Sequence, residues 1–295
     1  MTWKQRLRKA VPLLLLTLLT VPVVVGYIWI VISTFSQRTY GLIPVDRDGN
    51  FGGLTLANWS FLWEDPDIWN VTRNTLLLAV LLTVGVVTIS AMAGYALSRV
   101  SFPGRKIFLG GTLILHAFPS VTLLIAIYFV LRAIREIPII GDGIPIIGGF
   151  GYDTVGGVAL VMVSLQLPLG VWLMKGFFDG VSWDMERAAL IDGCTRFRVW
   201  REIMLPSIKP GIAALSIFTF ISGWGAYLIP YTFLTDERTA TIATYISSLQ
   251  GSTSPMNYSR IAAVGLFQLI PVVIFFVFTQ EYLLNIFGGG SKGGV

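Results

Sequence analysis

The sequence predicts an all-α membrane protein with six transmembrane helices, and three observations carry that prediction. Mean hydropathy is +0.74. Only 13% of the 295 residues are charged, where soluble domains carry about 25%. The apolar residues gather into six runs, 11–34, 75–97, 107–131, 154–174, 211–234 and 261–280, and none of these contains aspartate, glutamate, lysine or arginine. About 20 apolar residues in a helix cross the hydrocarbon core, and a helix satisfies its own backbone groups where no water can.

The first run follows Lys4, Arg6, Arg8 and Lys9. That flank looks like the start of a secretion signal, but the run is too long for one and no small-residue cleavage site follows. It is therefore expected to be a retained membrane helix behind a short cytoplasmic N-terminus, residues 1–10. Prolines fall in or near several runs: Pro22, Pro119, Pro168, Pro230 and Pro271. Each removes a backbone donor and tends to kink its helix. Hinges along a path and ordinary proline usage in membrane helices are both open readings.

The basic residues set the orientation. With the N-terminus inside, the cytoplasmic segments hold Lys4, Arg6, Arg8, Lys9, Arg99, Arg105, Lys106, Lys175, Arg187, Arg196, Arg198, Arg201, Lys209 and Lys292. The outer loops hold half as many: Arg38, Arg47, Arg73, Arg132, Arg135, Arg238 and Arg260. Both termini are expected in the cytoplasm. The net charge of +5 is thus sorted by loop, which favours membrane topology over a nucleic-acid-binding face. The outer loops are 35–74, 132–153 and 235–260. The first inner loop, 98–106, is short; the second, 175–210, is long and patterned, and long loops are often functional. Residues 288–295 form a glycine-rich tail. Trp59, Trp63 and Trp69 suit an interfacial aromatic belt.

The second inner loop reads as two short helices around a glycine turn. Ser182 is placed to cap the first, and Asp184 and Glu186 suit its positive end. Gly193 is placed to take the left-handed conformation that ends it. Thr195 is placed to cap the second, in which Phe197, Trp200, Ile203 and Met204 recur at helical spacing as an apolar stripe. Pro206 is expected to stop that helix. Such an elbow needs either a partner groove or the membrane surface.

This segment resembles the EAA loop of binding-protein-dependent ABC importer permeases. Ala188, Ala189, Asp192, Gly193, Ile203, Leu205 and Pro206 stand in register with that loop. Arg187 stands where the family carries glutamate, with Glu186 one position earlier, so the acidic contact is either made by Glu186 or lost. The stretch from Tyr95 to Arg105, Phe118-Pro119, Ile137 to Gly141, Gly156-Gly157, Lys175 to Phe178 and Met256 to Tyr258 extend the likeness to nearly the whole chain. They are similar to the G subunits of maltose/maltodextrin importers. The resemblance implies a type I ABC importer permease fold with residues 11–287 as the six-helix domain. It implies an elbow, 182–206, that docks on an ATP-binding subunit through Glu186, Ala188, Ala189, Asp192, Gly193, Ile203, Leu205 and Pro206. It further implies a homologous second permease, two ATP-binding subunits, a periplasmic or lipid-anchored solute-binding protein and a maltose-like or trehalose-like sugar. The loop around 247–258 would reach the solute-binding protein, and the tail would reach the ATPase interface.

No Gly-x-x-x-x-Gly-Lys-Ser/Thr cradle for phosphate occurs, so ATP hydrolysis is expected from a partner subunit and not from this chain. His116 is the single histidine and Cys194 the single cysteine; no metal site or other cofactor is expected. His116 is read as a packed residue. Gln166, Trp224, Tyr227 and Gln268 face either a pore or neighbouring helices. A secondary, ion-coupled transporter is the alternative, although such carriers usually place ionisable groups within their spans. A membrane scaffold whose basic loop touches lipid is a third reading.

Overall fold

The computed structural model describes residues 3–41, 43–46, 48–251 and 257–288, with backbone alone for 3–10, 251, 279 and 281–288. Most of the expected tail contact, 289–295, and the centre of the expected binding-protein loop, 252–256, lie outside the described residues. The chain divides into two compact units, Met1–Trp69 with Tyr245–Pro271, and Asn70–Thr244 with Val272–Val295.

In the first unit, helix α1 (Trp3–Thr34) is followed by a small antiparallel ribbon, β1 (Arg38–Tyr40) and β2 (Ile43–Val45), in which Thr39 faces Pro44. The end of α1 leaves carbonyls without intrahelical donors. Buried Asn58 takes up part of that deficit by donating to the Thr34 and Ser36 carbonyls at 3.1 and 3.0 Å. Trp59 stacks between Phe35 and Phe61 of the short α2 (Phe61–Glu64), while Trp63 and Trp69 stay exposed. Tyr245 donates to Asp65 at 2.5 Å; burial, then that carboxylate, pushes its phenol up to about 12.

The second unit holds most of α3 (Asp67–Arg99), then α4 (Arg105–His116), α5 (Leu124–Arg135) and α6 (Val155–Asp179). Where α3 crosses α6, side chains are small. A Cβ on Gly94 would lie 2.7 Å from the Met174 Cβ, and one on Gly170 would lie 2.9 Å from Val86. Lipid tails give helices no hydrophobic reason to associate, so close backbone approach and dispersion carry such a crossing. Around it Leu78, Leu82, Val86, Val158, Met174 and Phe178 form a buried core. After α7 (Trp183–Ile191), α8 (Arg196–Val199) and α9 (Leu205–Ser207) come α10 (Lys209–Trp224), α11 (Leu228–Phe233), α12 (Ile242–Gly251) and α13 (Tyr258–Gly288). Asp153, at φ 61° just before α6, gathers the chain after α11 by accepting from the Thr235 and Asp236 amides at 2.8 and 3.2 Å.

Among the described residues, four helical segments are by themselves long and apolar enough to cross a membrane: Val11–Thr34, Asp67–Arg99, Val155–Asp179 and Tyr258–Phe278. The third and fifth predicted runs are not single straight helices. Arg105–His116 and Ser120–Arg135 meet at 91°, and Arg196–Ser207 meets Lys209–Trp224 at 75°. The first break sits at Pro119, whose own ψ of 124° is extended and whose ring disfavours a helical Phe118. The 75° bend, at Ile208, precedes the fifth run, which itself breaks at Gly225 before α11 resumes.

Candidate functional site

The elbow folds as two short helices held by their own end residues. The Ser182 hydroxyl accepts from the Asp184 amide at 3.2 Å, and the Thr195 hydroxyl from the Arg198 amide at 3.3 Å. Gly193 has φ 87°. Its amide donates to the Leu190 carbonyl at 3.1 Å and the Cys194 amide to the Ala189 carbonyl at 3.0 Å. This paired arrangement is the Schellman closure, which places a left-handed residue just past the helix end. Nothing lies within 4 Å of a Cβ built on Gly193, so backbone conformation, and not space, requires glycine there.

Pro206 does not stop the second helix. The chain continues helically from Arg196 to Ser207 and turns only at Ile208, where φ is −105° and ψ 18°. Just before the proline, Trp200–Met204 widens into a π turn, closed by the Leu205 amide on the Trp200 carbonyl. A proline ring collides with the carbonyl four residues back, here that of Glu202. A wider turn relieves that collision, as single π turns in helices commonly do.

Glu186 is turned inward. It is 6% exposed, and its Oε1 accepts from the Tyr95 hydroxyl at 2.7 Å. Its Oε2 lies 2.9 Å from Arg99 Nε, with both side chains almost fully buried; the pair is in ionic contact without hydrogen-bond alignment. Arg99 also donates to the Val181 carbonyl at 2.7 Å and lies 4.6 Å over the Trp183 ring. Below this clasp, Ser98 donates to Asp179, which pairs with Lys175. The first elbow helix is thereby fixed to the last turn of α3. Of the other candidate residues, Ala189 is buried, Ile203 and Leu205 are half-buried, and Ala188, Asp192, Gly193 and Pro206 are exposed. Met204 of the apolar stripe is fully buried, whereas Phe197 and Ile191 point outward. Tyr95, Arg99 and Trp183 were not among the candidate residues; the signal for the first two was their place, one helical turn apart, in the segment that shares the family likeness.

A second concentration of polar groups lies at the break between α4 and α5. A cavity of about 610 Å³ is lined there by His116, Phe118, Ser120, Ser164, Gln166 and Pro168 among others. Trp224 is instead buried against Phe220, Tyr227 packs on Tyr231, and Gln268 is half-buried on α13.

Residues 85–284, which include both sites, match the family of binding-protein-dependent transport system inner membrane components. The chain belongs to that family. This permease is 28% identical to the maltodextrin transport system permease protein MdxG of Bacillus subtilis, over 97% of each chain. It is 32% identical to the maltose/maltodextrin transport system permease protein MalG of Escherichia coli, over 77% of this chain and 72% of that one. A subunit in the crystal structure of a bacterial ABC transporter that imports alginate superposes on 96% of the permease. The match covers 98% of that subunit, with a TM-score of 0.75 and 20% identity. The fold is therefore that of type I ABC importer permeases, and the protein is a multi-pass component of the inner membrane.

Proposed function

We propose that this permease forms half of the translocation pathway of an ATP-driven carbohydrate importer. In this reading the chain crosses the membrane six times, α4 with α5 forming one span and α10 with α11 another, with both termini in the cytoplasm. The elbow 182–206 projects inward and docks on an ATP-binding subunit. The observation that carries the reading is the construction of the elbow: its outer face exposes Ile191 and Phe197, while its inner face is clasped to α3 through Glu186. A movement imposed on the outer face would pass to a membrane helix through a buried ion pair and not through a loose tether. Ala188 allows close approach on the outer face, and Gly193 sets the angle between the two short helices. Arg187 replaces the family's glutamate on the exposed side, so the expected acidic contact with the ATPase is not made from that position.

The assembly comprises a homologous second permease, two ATP-binding subunits that supply hydrolysis, and a solute-binding protein on the outer side. The cargo is a maltose-like oligosaccharide: maltose, a maltodextrin or a relative such as trehalose. Support comes from the two named relatives, a maltodextrin and a maltose/maltodextrin transport system permease protein, which align with 97% and 77% of this chain. Purification of a tagged chain tests the assembly directly: a Walker-motif ATPase copurifies if the reading holds, and its consistent absence contradicts it. Uptake of labelled maltose, trehalose and maltotriose by a complemented deletion strain assigns the cargo. Gly193→Val is expected to insert normally and to lose most sugar uptake.

A further inference from the structure

We infer that the inner rim of this subunit holds a binding site for the phosphate of an anionic phospholipid, formed where the start of α4 meets the end of α6. The inference goes beyond the importer reading and rests on it only for the placement of residues 98–106 at the cytoplasmic surface. The apolar run 107–131 begins directly after Arg105 and Lys106, and the run 154–174 is followed directly by Lys175. The two helices pack together. They bring three cations to one level, the inner boundary between hydrocarbon and headgroups. A cavity of about 730 Å³ opens there, lined by Ser101, Phe102, Arg105, Lys106, Ile107 and Lys175 among others, with no carboxylate in the lining.

The charges at this cavity do not balance. Arg105 and Lys106 form no ion pair among the described residues. Lys175 pairs with Asp179, but an ammonium carries three donors and serves a second anion as well. Three cations against that one carboxylate leave two positive charges, and a cleft lined by one sign of charge concentrates the opposite ion. Charge alone does not separate a soluble phosphate from a lipid; the surroundings do. Ile107, 82% exposed, and Phe102 stand on the rim, and Phe108 is exposed beside them at the head of the apolar run. A soluble anion would leave these side chains in water, whereas acyl chains below a bound headgroup cover them. The ammonium of a phosphatidylethanolamine headgroup would meet the same cations, and phosphatidylglycerol or cardiolipin brings none. Basic pockets between membrane helices on the cytoplasmic side commonly take such headgroups.

Photolabelling with lipids tests the site. The complex purified through this chain is placed in phosphatidylcholine nanodiscs that carry a small fraction of photoactivatable phosphatidylglycerol or, in parallel, of photoactivatable phosphatidylcholine. Peptide mapping after irradiation should find phosphatidylglycerol enriched on residues 101–109. Arg105→Gln combined with Lys106→Gln should lower that yield about 25-fold, since each charge near the surface is worth about fivefold. The charge-keeping pair Arg105→Lys with Lys106→Arg should retain most of it, which separates loss of charge from loss of fold. Lys209→Gln, at the corresponding boundary of α10 and outside the cavity lining, should leave it unchanged. Equal yields for the two lipids, or an equal loss at Lys209→Gln, overturn the site in favour of a general basic belt. Loss of the adduct when inorganic phosphate is added at constant ionic strength assigns the cavity to a soluble anion and overturns the lipid. Adducts of this segment with a protein subunit in place of lipid overturn it too. Presence of the ATPase in the purified material reports on the importer reading and the adduct map on the site, so the two fail separately.

Discussion

At the scale of single residues, the contact between Glu186 and Arg99 decides most. Both side chains are nearly fully buried, and removal of one partner from a buried ion pair typically costs about 3–5 kcal/mol because the other charge stays behind. Here Arg99 keeps the Val181 carbonyl and the Trp183 ring, which places Glu186→Gln near the low end, about 3 kcal/mol. Thermal unfolding in detergent should show that loss, and the Glu186→Leu/Arg99→Met double variant should recover part of it. A wild-type unfolding temperature for Glu186→Gln contradicts the clasp. Gly193→Ala tests the turn more gently: with φ 87° and open space around it, the cost should be about 1–2 kcal/mol of backbone strain. The same unfolding assay measures it. Ser182, Thr195 and Gly193 were legible in the sequence because each acts on a neighbour within a few residues. The partners of Glu186 were not, because Tyr95 stands 91 positions away and pairing at that separation leaves no periodic trace.

At the scale of elements, the apolar runs announced where helices lie but not where they bend. Hydropathy averages over a turn, and Phe118-Pro119 is as apolar in a 91° break as in a straight span. Pro119 was visible as a possible hinge; that the chain fully leaves the helix there depends on the space beside α6. Pro206 shows the opposite error. Its missing amide suggested a helix end, yet the π turn at Trp200–Met204 accommodates the ring and lets the helix continue. The crossing of α3 and α6 yields a sharper prediction. Gly94→Leu pushes a side chain into Met174 and the backbone at Lys175, so overpacking of about 1–3 kcal/mol is expected. Gly110→Leu, where nothing lies within 4 Å, should be nearly neutral. Equal unfolding temperatures for the two variants would remove the tight crossing from the account.

At the scale of the whole molecule, membrane residence and family followed from two signals that sequence preserves well: charge-free apolar runs and the register of Ala188, Ala189, Asp192 and Gly193. The cavity beside His116 and Gln166 was only half legible, since Gln166 stood among the candidates for a pore while His116 was read as merely packed. Its placement joins two segments about fifty residues apart, and only the fold brings them together. The central claim is that the outward face of the elbow is gripped by an ATP-driven partner. A photo-crosslinking amino acid at Ile191, 85% exposed on that face, tests it in membranes that contain the assembled complex. The account predicts an adduct with a nucleotide-binding subunit whose yield changes when ATP or vanadate is added. Adducts with phospholipid alone would contradict it.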